Sequence, residues 1–354
     1  MGYQNNGQTG GTNITGQNSK GALKVARHLL VYDYDWWVLG AKAKIIQQYH
    51  PYLDICSLKE VEENVKRQGQ VAKINFGYEV ISALGLGIAQ SLLLLGVRVD
   101  SAQIGSYNYI TKNHLSYREW NDPFKANNDF FHRMMKASRY GAISPKLAHE
   151  VKKRLPKRHV SFIRPFVDTD QFCPKLDLPS LDERKLVIGW VGNEHRKVKN
   201  YQTLYKGIVK AFANDPDIEF IESTRSSYTP LKQMPAFYNR LDLLLITSSN
   251  EGGPAPAMEA YASGVPVLST NVGYVKTVAG PKCQSLILNS LSPGEFAKKI
   301  NKLKKNRVWL NELKKEARQQ MVSYYTVDKT IGDWLEVLFL IQPNKQTKEN
   351  AHEQ

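Results

Sequence analysis

Two glutamates eight positions apart, with a glycine-rich turn between them, are the residues of this sequence best placed to do chemistry. Glu251 precedes Gly252 and Gly253, and Glu259 lies about two turns into the helix that the next residues predict. The start of a helix binds phosphate through its unpaired N–H groups, glycines let a ligand approach the backbone, and carboxylates accept hydrogen bonds from hydroxyls. A sugar nucleotide combines these groups. The alternative is an ordinary strand–helix–strand unit with a glutamate on its exposed face.

The elements that must position these glutamates are two buried strands and a short helix. Residues 241–247 form an apolar run of strand length, residues 255–263 predict the helix, and Gly264 stops it. Residues 265–269 predict the next strand. Open α/β sheets bind ligands at the carboxyl ends of their strands, which is where Glu251 falls.

The same stretch carries a family resemblance. EGGPAPAME, followed by AYASGVPV, resembles the E-x7-E signature of retaining GT-B glycosyltransferases, in particular glycosyltransferase family 4 of the group 1 type. The sequence departs from the family at Pro254, where glycine is frequent, and a proline has no N–H to offer a ligand. A second match to the family, where the chain leaves the first domain, consists of Ile163, Pro165, Val167, Asp168, Phe172 and Pro174.

The resemblance implies an α/β fold of the GT-B type, with two Rossmann-like domains whose parallel sheets face an interdomain cleft. We expect an acceptor-binding domain over 22–175 and a nucleotide-sugar-binding domain over 176–323, with polar tails at 1–21 and 342–354. Residues 324–341 carry a strong apolar stripe, and we expect this last helix to cross back to the first domain. The implied reaction is transfer of a hexose from a nucleotide diphosphate sugar with retention of configuration, without a cofactor or a metal ion.

The resemblance also implies roles for individual residues. Arg196 and Lys199, in a basic loop after the predicted strand 186–191, would hold the donor diphosphate, since bidentate arginine and point-charge lysine suit phosphate. Glu251 would hold hydroxyls of the donor sugar, and Glu259 those of the ribose. The remaining predicted donor-binding residues are Gly192, Asn193, Lys197, which competes with Lys199, Gly252 and Gly253.

The acceptor is expected on the first domain, beside the loop after its first strand. The candidate acceptor-binding residues are Asp33, Asp35, Trp36, Trp37 and, after a later strand, Ser106. Indole faces stack on sugars or bases and carboxylates accept hydroxyls, whereas simple surface packing of the tryptophans is the alternative. His114 is a further, weaker candidate. Elsewhere in this half, residues 59–67 predict a polar connector and residues 70–76 a strand.

Composition limits the class of protein and suggests an anionic partner. The 354 residues are 42% hydrophobic and 23% charged, as in globular proteins, and three scattered cysteines fit a reducing compartment. We therefore expect a cytoplasmic protein, peripheral at the inner face of the membrane if it binds lipid. The net charge is +15, and the predicted amphipathic helix near residue 150 contributes Lys146, Lys152, Lys153, Arg154, Lys157 and Arg158.

That basic surface fits a membrane, an anionic acceptor or a nucleic acid equally well, and an ordinary solvated helix face is the alternative. Three other functions remain open. The chain could be a basic nucleic-acid-binding protein with a transferase-like fold, a transferase that glycosylates modified DNA, or a GT-B epimerase or phosphorylase.

Overall fold

The structure is a computed structural model that describes residues 27–35, 37–105, 128–175 and 184–341. The predicted polar tails and the candidates Trp36, Ser106 and His114 lie outside these residues. Among the described residues, strands and helices alternate along the chain and build two parallel sheets.

The first sheet contains β1 (His28–Tyr32), β2 (Leu53–Ser57), β3 (Val80–Leu84), β4 (Ser101–Ile104), β5 (Arg139–Ala142) and β6 (His159–Phe162). The order is β2-β1-β3-β4-β5-β6, and all neighbouring pairs are parallel. Its helices are α1 (Val38–Gln48), α2 (Leu58–Gln68), α3 (Val71–Gly77), α4 (Leu86–Leu94), α5 (Asn128–Met134) and α6 (Pro145–Arg154).

Alternation along the strands supplies both faces of this sheet. In β1, Leu29 and Val31 belong to the core cluster that α4 and α6 cover, whereas Leu30 and Tyr32 belong to the cluster shared with α1 and the second half of the chain. Strands with apolar residues on both faces are typical of parallel sheets, because helices cover both sides.

The second sheet contains β7 (Leu186–Val191), β8 (Ile218–Ser223), β9 (Leu243–Ile246), β10 (Val267–Thr270) and β11 (Ile287–Leu288), in the parallel order β11-β10-β9-β7-β8. Its helices are α7 (Lys206–Ala211), α8 (Met234–Tyr238), α9 (Ala255–Ala262), α10 (Val275–Val278), α11 (Pro293–Lys305) and α12 (Arg307–Tyr324). Short turns of other helix types are Lys197–Lys199, Tyr201–Tyr205, Leu231–Gln233 and Cys283–Leu286.

Two local predictions in the first half are wrong. The expected connector at 59–67 lies within α2, which starts with a capping box: the Ser57 N–H donates to Glu60 Oε2 at 2.6 Å, and the Glu60 N–H donates to Ser57 Oγ at 3.3 Å. The expected strand at 70–76 is α3, which buries Ile74 and leaves Phe76 86% exposed. A short apolar run does not distinguish a strand from a helix.

The last described helix, α13 (Val327–Phe339), follows the second sheet in sequence but packs on the first one, against β4, β5 and α1. Its Trp334 indole N–H donates to the Arg164 carbonyl at 2.8 Å. The Ser82 and Ser101 hydroxyls donate to the Leu338 carbonyl at 2.9 and 2.7 Å. These contacts fix the first sheet to the second half of the chain, and the space between the two sheets becomes a cleft.

Candidate active site

Two loops at the carboxyl ends of the neighbouring strands β7 and β9 form the centre of the candidate site. The Asn200 side-chain amide donates to the Thr247 carbonyl at 2.9 Å, and the Thr247 hydroxyl donates to the Lys199 carbonyl at 2.7 Å. The Ser249 N–H donates to the Val198 carbonyl at 2.8 Å. Asn200 adopts the left-handed conformation, with φ of 50°, which asparagine tolerates well. The basic loop is therefore fastened to the loop that carries the first glutamate.

Lys199 and Glu251 form a largely buried ion pair between these loops. Lys199 Nζ lies 2.5 Å from Glu251 Oε1, and the side chains are 14% and 15% exposed. The Ser248 hydroxyl donates to the same carboxylate oxygen at 2.8 Å. Burial alone raises the pKa of Glu251, but Lys199, the Ser248 hydroxyl and the charge of Arg196 outweigh it, so the pKa lies below its ordinary value. Glu251 is therefore held as an anion beside two cations.

The other predicted residues of the basic loop have different surroundings. Lys197 is exposed, whereas Lys199 contacts Glu251, so the structure brings only Lys199 of the two lysines to the glutamate. Asn193 shapes the turn, because its side-chain oxygen accepts the His195 N–H at 3.0 Å and its carbonyl accepts the Arg196 N–H at 3.1 Å.

Glu259 lies on α9, in surroundings that differ from those of Glu251. The Tyr238 hydroxyl donates to Glu259 Oε2 at 2.7 Å. Burial raises the pKa of Glu259, and the hydroxyl of Tyr238 and the charge of Lys42, which is on α1, only partly offset it. Lys42 therefore brings a positive charge from the first domain toward the second glutamate.

A cavity of about 100 Å³ lies between the two halves of the chain. The first half contributes Lys42 and other residues of α1, the segment that leaves the first domain contributes Phe166 and its neighbours, and the second half contributes Glu259 and Tyr274. Burial first, and then the charges of Glu259 and Glu251, raise the pKa of Tyr274, so its phenol stays neutral.

The predicted glycines at the start of α9 have a packing role in the structure. A Cβ on Gly253 would lie 2.1 Å from the Tyr274 ring and 2.7 Å from Ile143 Cδ1, so these side chains fill the space that a larger residue would need. A Cβ on Gly273 would lie 2.8 Å from the Gly252 carbonyl oxygen. The turn is thus held closely between the two halves of the chain.

The helix start offers fewer N–H donors than the pattern of small residues suggests. Pro254 is the N-cap residue of α9, and Pro256 is also without an N–H. The Ala257 N–H donates to the Pro254 carbonyl at 3.0 Å, which leaves Ala255 as the donor of the first turn best placed for an anion. An anionic ligand would therefore depend mainly on side-chain cations here.

The candidate acceptor loop follows β1. The Tyr32 hydroxyl donates to Asp35 Oδ1 at 2.6 Å, burial raises the pKa of Asp33, and Trp37 is 43% exposed. A Cβ on Gly40 of α1 would lie 2.4 Å from the Tyr34 carbonyl oxygen, so glycine is needed for this loop to fold back over the helix. The two aspartates thus follow the carboxyl end of the first strand, and neither of them lines the cavity between the two halves.

Sequence reasoning did not identify Lys42, Tyr274 or Glu194 as site residues. Glu194 accepts hydrogen bonds from the Arg225 N–H at 2.8 Å, the Ser226 N–H at 2.9 Å and the Ser226 hydroxyl. Burial raises the pKa of Glu194, but these hydrogen bonds together lower it by more, so the pKa is about 2. Glu194 thus ties the basic loop to the loop after β8, and no motif in the sequence signals this contact.

The predicted basic helix is α6, but it ends at Arg154, so Leu155, Lys157 and Arg158 follow the helix. Leu147, Val151 and Leu155 are buried, and Arg158 is half-buried. The exposed cations are Lys146, Lys152, Lys153, Arg154 and Lys157. The amphipathic pattern therefore gives one apolar face on the sheet and one cationic face in solvent.

None of the helices in the described ranges combines the length and the apolar character that a membrane crossing requires. Within the same ranges, no three histidine, cysteine, aspartate or glutamate side chains are grouped as metal ligands would be.

The matches to known sequences lie mainly in the second half of the chain. Residues 183–320 match the family model described as Glycosyl transferases group 1. A D-inositol 3-phosphate glycosyltransferase of Salinispora arenicola is 28% identical over 104 residues, which are 29% of this chain and 23% of that protein. A protein of the same name from Salinispora tropica matches equally, over 21% of its length. The match spans less than a quarter of these curated relatives.

Similar solved structures cover both halves. Sucrose-phosphate synthase from Thermosynechococcus elongatus has a TM-score of 0.64 at 11% identity, over 86% of this chain and 96% of its own. HepE of Anabaena in complex with UDP has a TM-score of 0.65 at 12% identity, over 89% of this chain and 100% of its own. The predicted GT-B fold is confirmed. Residues 183–320, the segment that matches the Glycosyl transferases group 1 family, contain the second sheet of this fold.

Proposed function

We propose that this chain transfers a hexose from a nucleotide diphosphate sugar to an acceptor, with retention of configuration and without a metal ion. The observation that carries the proposal is the buried pair of Lys199 and Glu251, with the charge of Arg196 beside it, at the carboxyl ends of β7 and β9. These residues lie inside the segment that matches the group 1 family.

The departure of a nucleoside diphosphate requires stabilisation of developing negative charge. Arg196 and Lys199 are the cations proposed for this task, and fixed donors of this kind typically contribute about 3–4 kcal/mol each to the transition state. Their presence supports a mechanism in which side chains replace a metal ion. Lys199 would turn from Glu251 toward phosphate as hydroxyls of the donor sugar occupy the carboxylate.

Glu259 is proposed to bind the ribose. Its Oε2 accepts the Tyr238 hydroxyl, and among the described residues no donor to Oε1 is found, so this oxygen is available to a ligand hydroxyl. We expect Glu259→Ala to weaken binding of a nucleoside diphosphate, which calorimetry measures. Unchanged affinity would remove the ribose role.

The acceptor is proposed to bind on the first domain, near Asp33, Asp35 and Trp37. The cationic face of α6 supports an anionic acceptor or an anionic membrane surface, and a protein active at the cytoplasmic face of a membrane is the corresponding proposal for its location. The division into an acceptor half and a donor half follows the resemblance stated above, and the cleft between the two sheets gives both substrates access to the same space.

The proposal is tested by a thermal-shift and hydrolysis screen against common nucleotide sugars, because a ligand that binds the native state raises its stability. UDP-glucose is the first probe, since HepE of Anabaena was solved with it. NMR of the product then reports the anomeric configuration. No stabilisation and no turnover with any donor, together with salt-dependent DNA binding, would instead favour the nucleic-acid-binding alternative. Isomerised donor or phosphate-dependent cleavage would indicate an epimerase or a phosphorylase.

A further inference from the structure

Lys42 is a cation from the first domain in a position that the proposed chemistry does not yet use. It lies on α1 and lines the cavity between the two halves of the chain, opposite Glu259 and Tyr274 of the second half. It is half-buried, and burial lowers its pKa to about 8, although the charge of Glu259 opposes the shift. Holding a lysine in such surroundings costs stability, and such costs are typical of functional sites.

The surroundings of Lys42 hold the ammonium without neutralising it. Its Nζ lies 4.1 Å from the centre of the Phe166 ring and 5.3 Å from that of the Trp334 ring. The rings pack edge to face with centres 5.1 Å apart, and the Trp334 indole is fixed by its bond to the Arg164 carbonyl. Aromatic faces attract a cation while leaving its N–H groups available.

The hydrogen bonding of Lys42 leaves donors for a ligand. An ammonium has three N–H donors. The described residues supply one acceptor, the Phe166 carbonyl, at the long distance of 3.4 Å, and none of their carboxylates lies within 4.0 Å of Nζ. Glu259, on the other side of the cavity, has Oε2 occupied by Tyr238 and an oxygen, Oε1, without a donor among the described residues.

We propose that Lys42 is a nucleotide-binding residue. It donates a hydrogen bond to a ribose hydroxyl, and that hydroxyl in turn donates to the carboxylate of Glu259. A hydroxyl both donates and accepts, so an ammonium and a carboxylate across one small cavity complement a vicinal diol. The inference rests on the proposed function and adds a contact from the first domain. Since Lys42 lies on α1 of the first half and Glu259 on α9 of the second, the ribose would bridge the two halves of the chain.

The test compares the full-length chain with Lys42→Met, which keeps an unbranched side chain of similar length but removes the charge and the donors. Lys66→Met is the matched control, because Lys66 is a 67% exposed lysine on α2 of the same domain. Calorimetry measures the affinity of each protein for UDP, ADP and GDP and for the 2′-deoxy and 3′-deoxy forms of whichever binds.

We expect Lys42→Met to weaken ribonucleotide binding at least about tenfold, as the loss of a charge-assisted hydrogen bond does. The penalty that wild type shows for one of the deoxy forms should shrink in this variant, and Lys66→Met should match wild type. Equal weakening for ribo and deoxy forms would indicate a structural role and overturn the inference. Wild-type affinity in Lys42→Met would overturn it while leaving the proposed function intact. Failure of wild type to bind any of the three nucleotides would overturn both.

Discussion

Removal of Lys199 is the sharpest test of the candidate site, because it leaves Glu251 as a buried anion without its nearest cation. The two side chains are 14% and 15% exposed, with 2.5 Å between the paired atoms. Breaking a buried ion pair by removing one partner costs about 3–5 kcal/mol. Glu251 keeps the Ser248 hydroxyl at 2.8 Å and the field of Arg196. We therefore expect Lys199→Met to lower the free energy of unfolding by about 2–3 kcal/mol, below that range.

The assay is urea unfolding at neutral pH, followed by tryptophan fluorescence, for wild type, Lys199→Met, Glu251→Gln and the double variant. Trp190 is 1% exposed in the same domain and reports its unfolding. Because the two side chains are coupled, the double variant should be more stable than the sum of the single effects predicts, by at least about 1 kcal/mol. Lys298→Met is the control, since Lys298 is 77% exposed and pairs with Glu295 at 2.9 Å on the surface.

The pH dependence provides a second check. The folded pKa of Glu251 lies below its ordinary value of 4.5, so the stability that Glu251 contributes as an anion is present above pH 4.5 and lost as pH falls through the folded value. The difference between wild type and Lys199→Met should shrink over that range. A Lys199→Met variant as stable as Lys298→Met at neutral pH, or strictly additive single effects, would refute the buried pair.

Three further predictions concern other parts of the molecule. Arg196→Ala should lower turnover about 100- to 1,000-fold in a chain that still folds, as loss of one fixed charge donor does, and wild-type rates in steady-state assays would remove its catalytic role. Gly253→Ala should destabilise the chain by about 1–3 kcal/mol in urea unfolding, because its Cβ would meet the Tyr274 ring at 2.1 Å; unchanged stability would show that the turn relaxes freely. His50 donates to or accepts from His28 at 2.8 Å, and burial, with the charge of His28, lowers its pKa to about 4. Neutral His50 therefore contributes its full stability above its ordinary pKa of 6.5, and this stability is lost as pH falls toward 4. The urea midpoint should fall over this range in wild type and less in His50→Gln.

The sequence was informative where local patterns decide the structure. The strand β9, helix α9 and strand β10 fall within a residue or two of the expected elements, because buried parallel strands and a helix ended by Gly264 have strong local signals. Helix α3 was mistaken for a strand, since seven residues with one buried side chain, Ile74, carry too little periodicity to separate the two.

The contacts of the candidate site also differ in how far the sequence predicts them. Arg196, Lys199 and Glu251 follow strands that are neighbours in the sheet, so their proximity follows from the parallel order of β7 and β9. The approach of Lys42 to Glu259 has no such local cause. It depends on how α13 holds the two halves together, which is a matter of tertiary packing between residues far apart in sequence.

The two glutamates of the motif look alike in the sequence but have different surroundings in the structure. Two cations lower the pKa of Glu251, whereas burial raises the pKa of Glu259 despite the Tyr238 hydroxyl and Lys42. As pH falls, Glu259 should therefore take up its proton first, while the pair of Lys199 and Glu251 is still intact. Nucleotide affinity should then decline at a higher pH than the stability that Lys199 contributes. Calorimetry and urea unfolding over the same pH series compare the two, and a coincident decline, or affinity lost only after stability, would mean that Glu259 is not the ribose ligand.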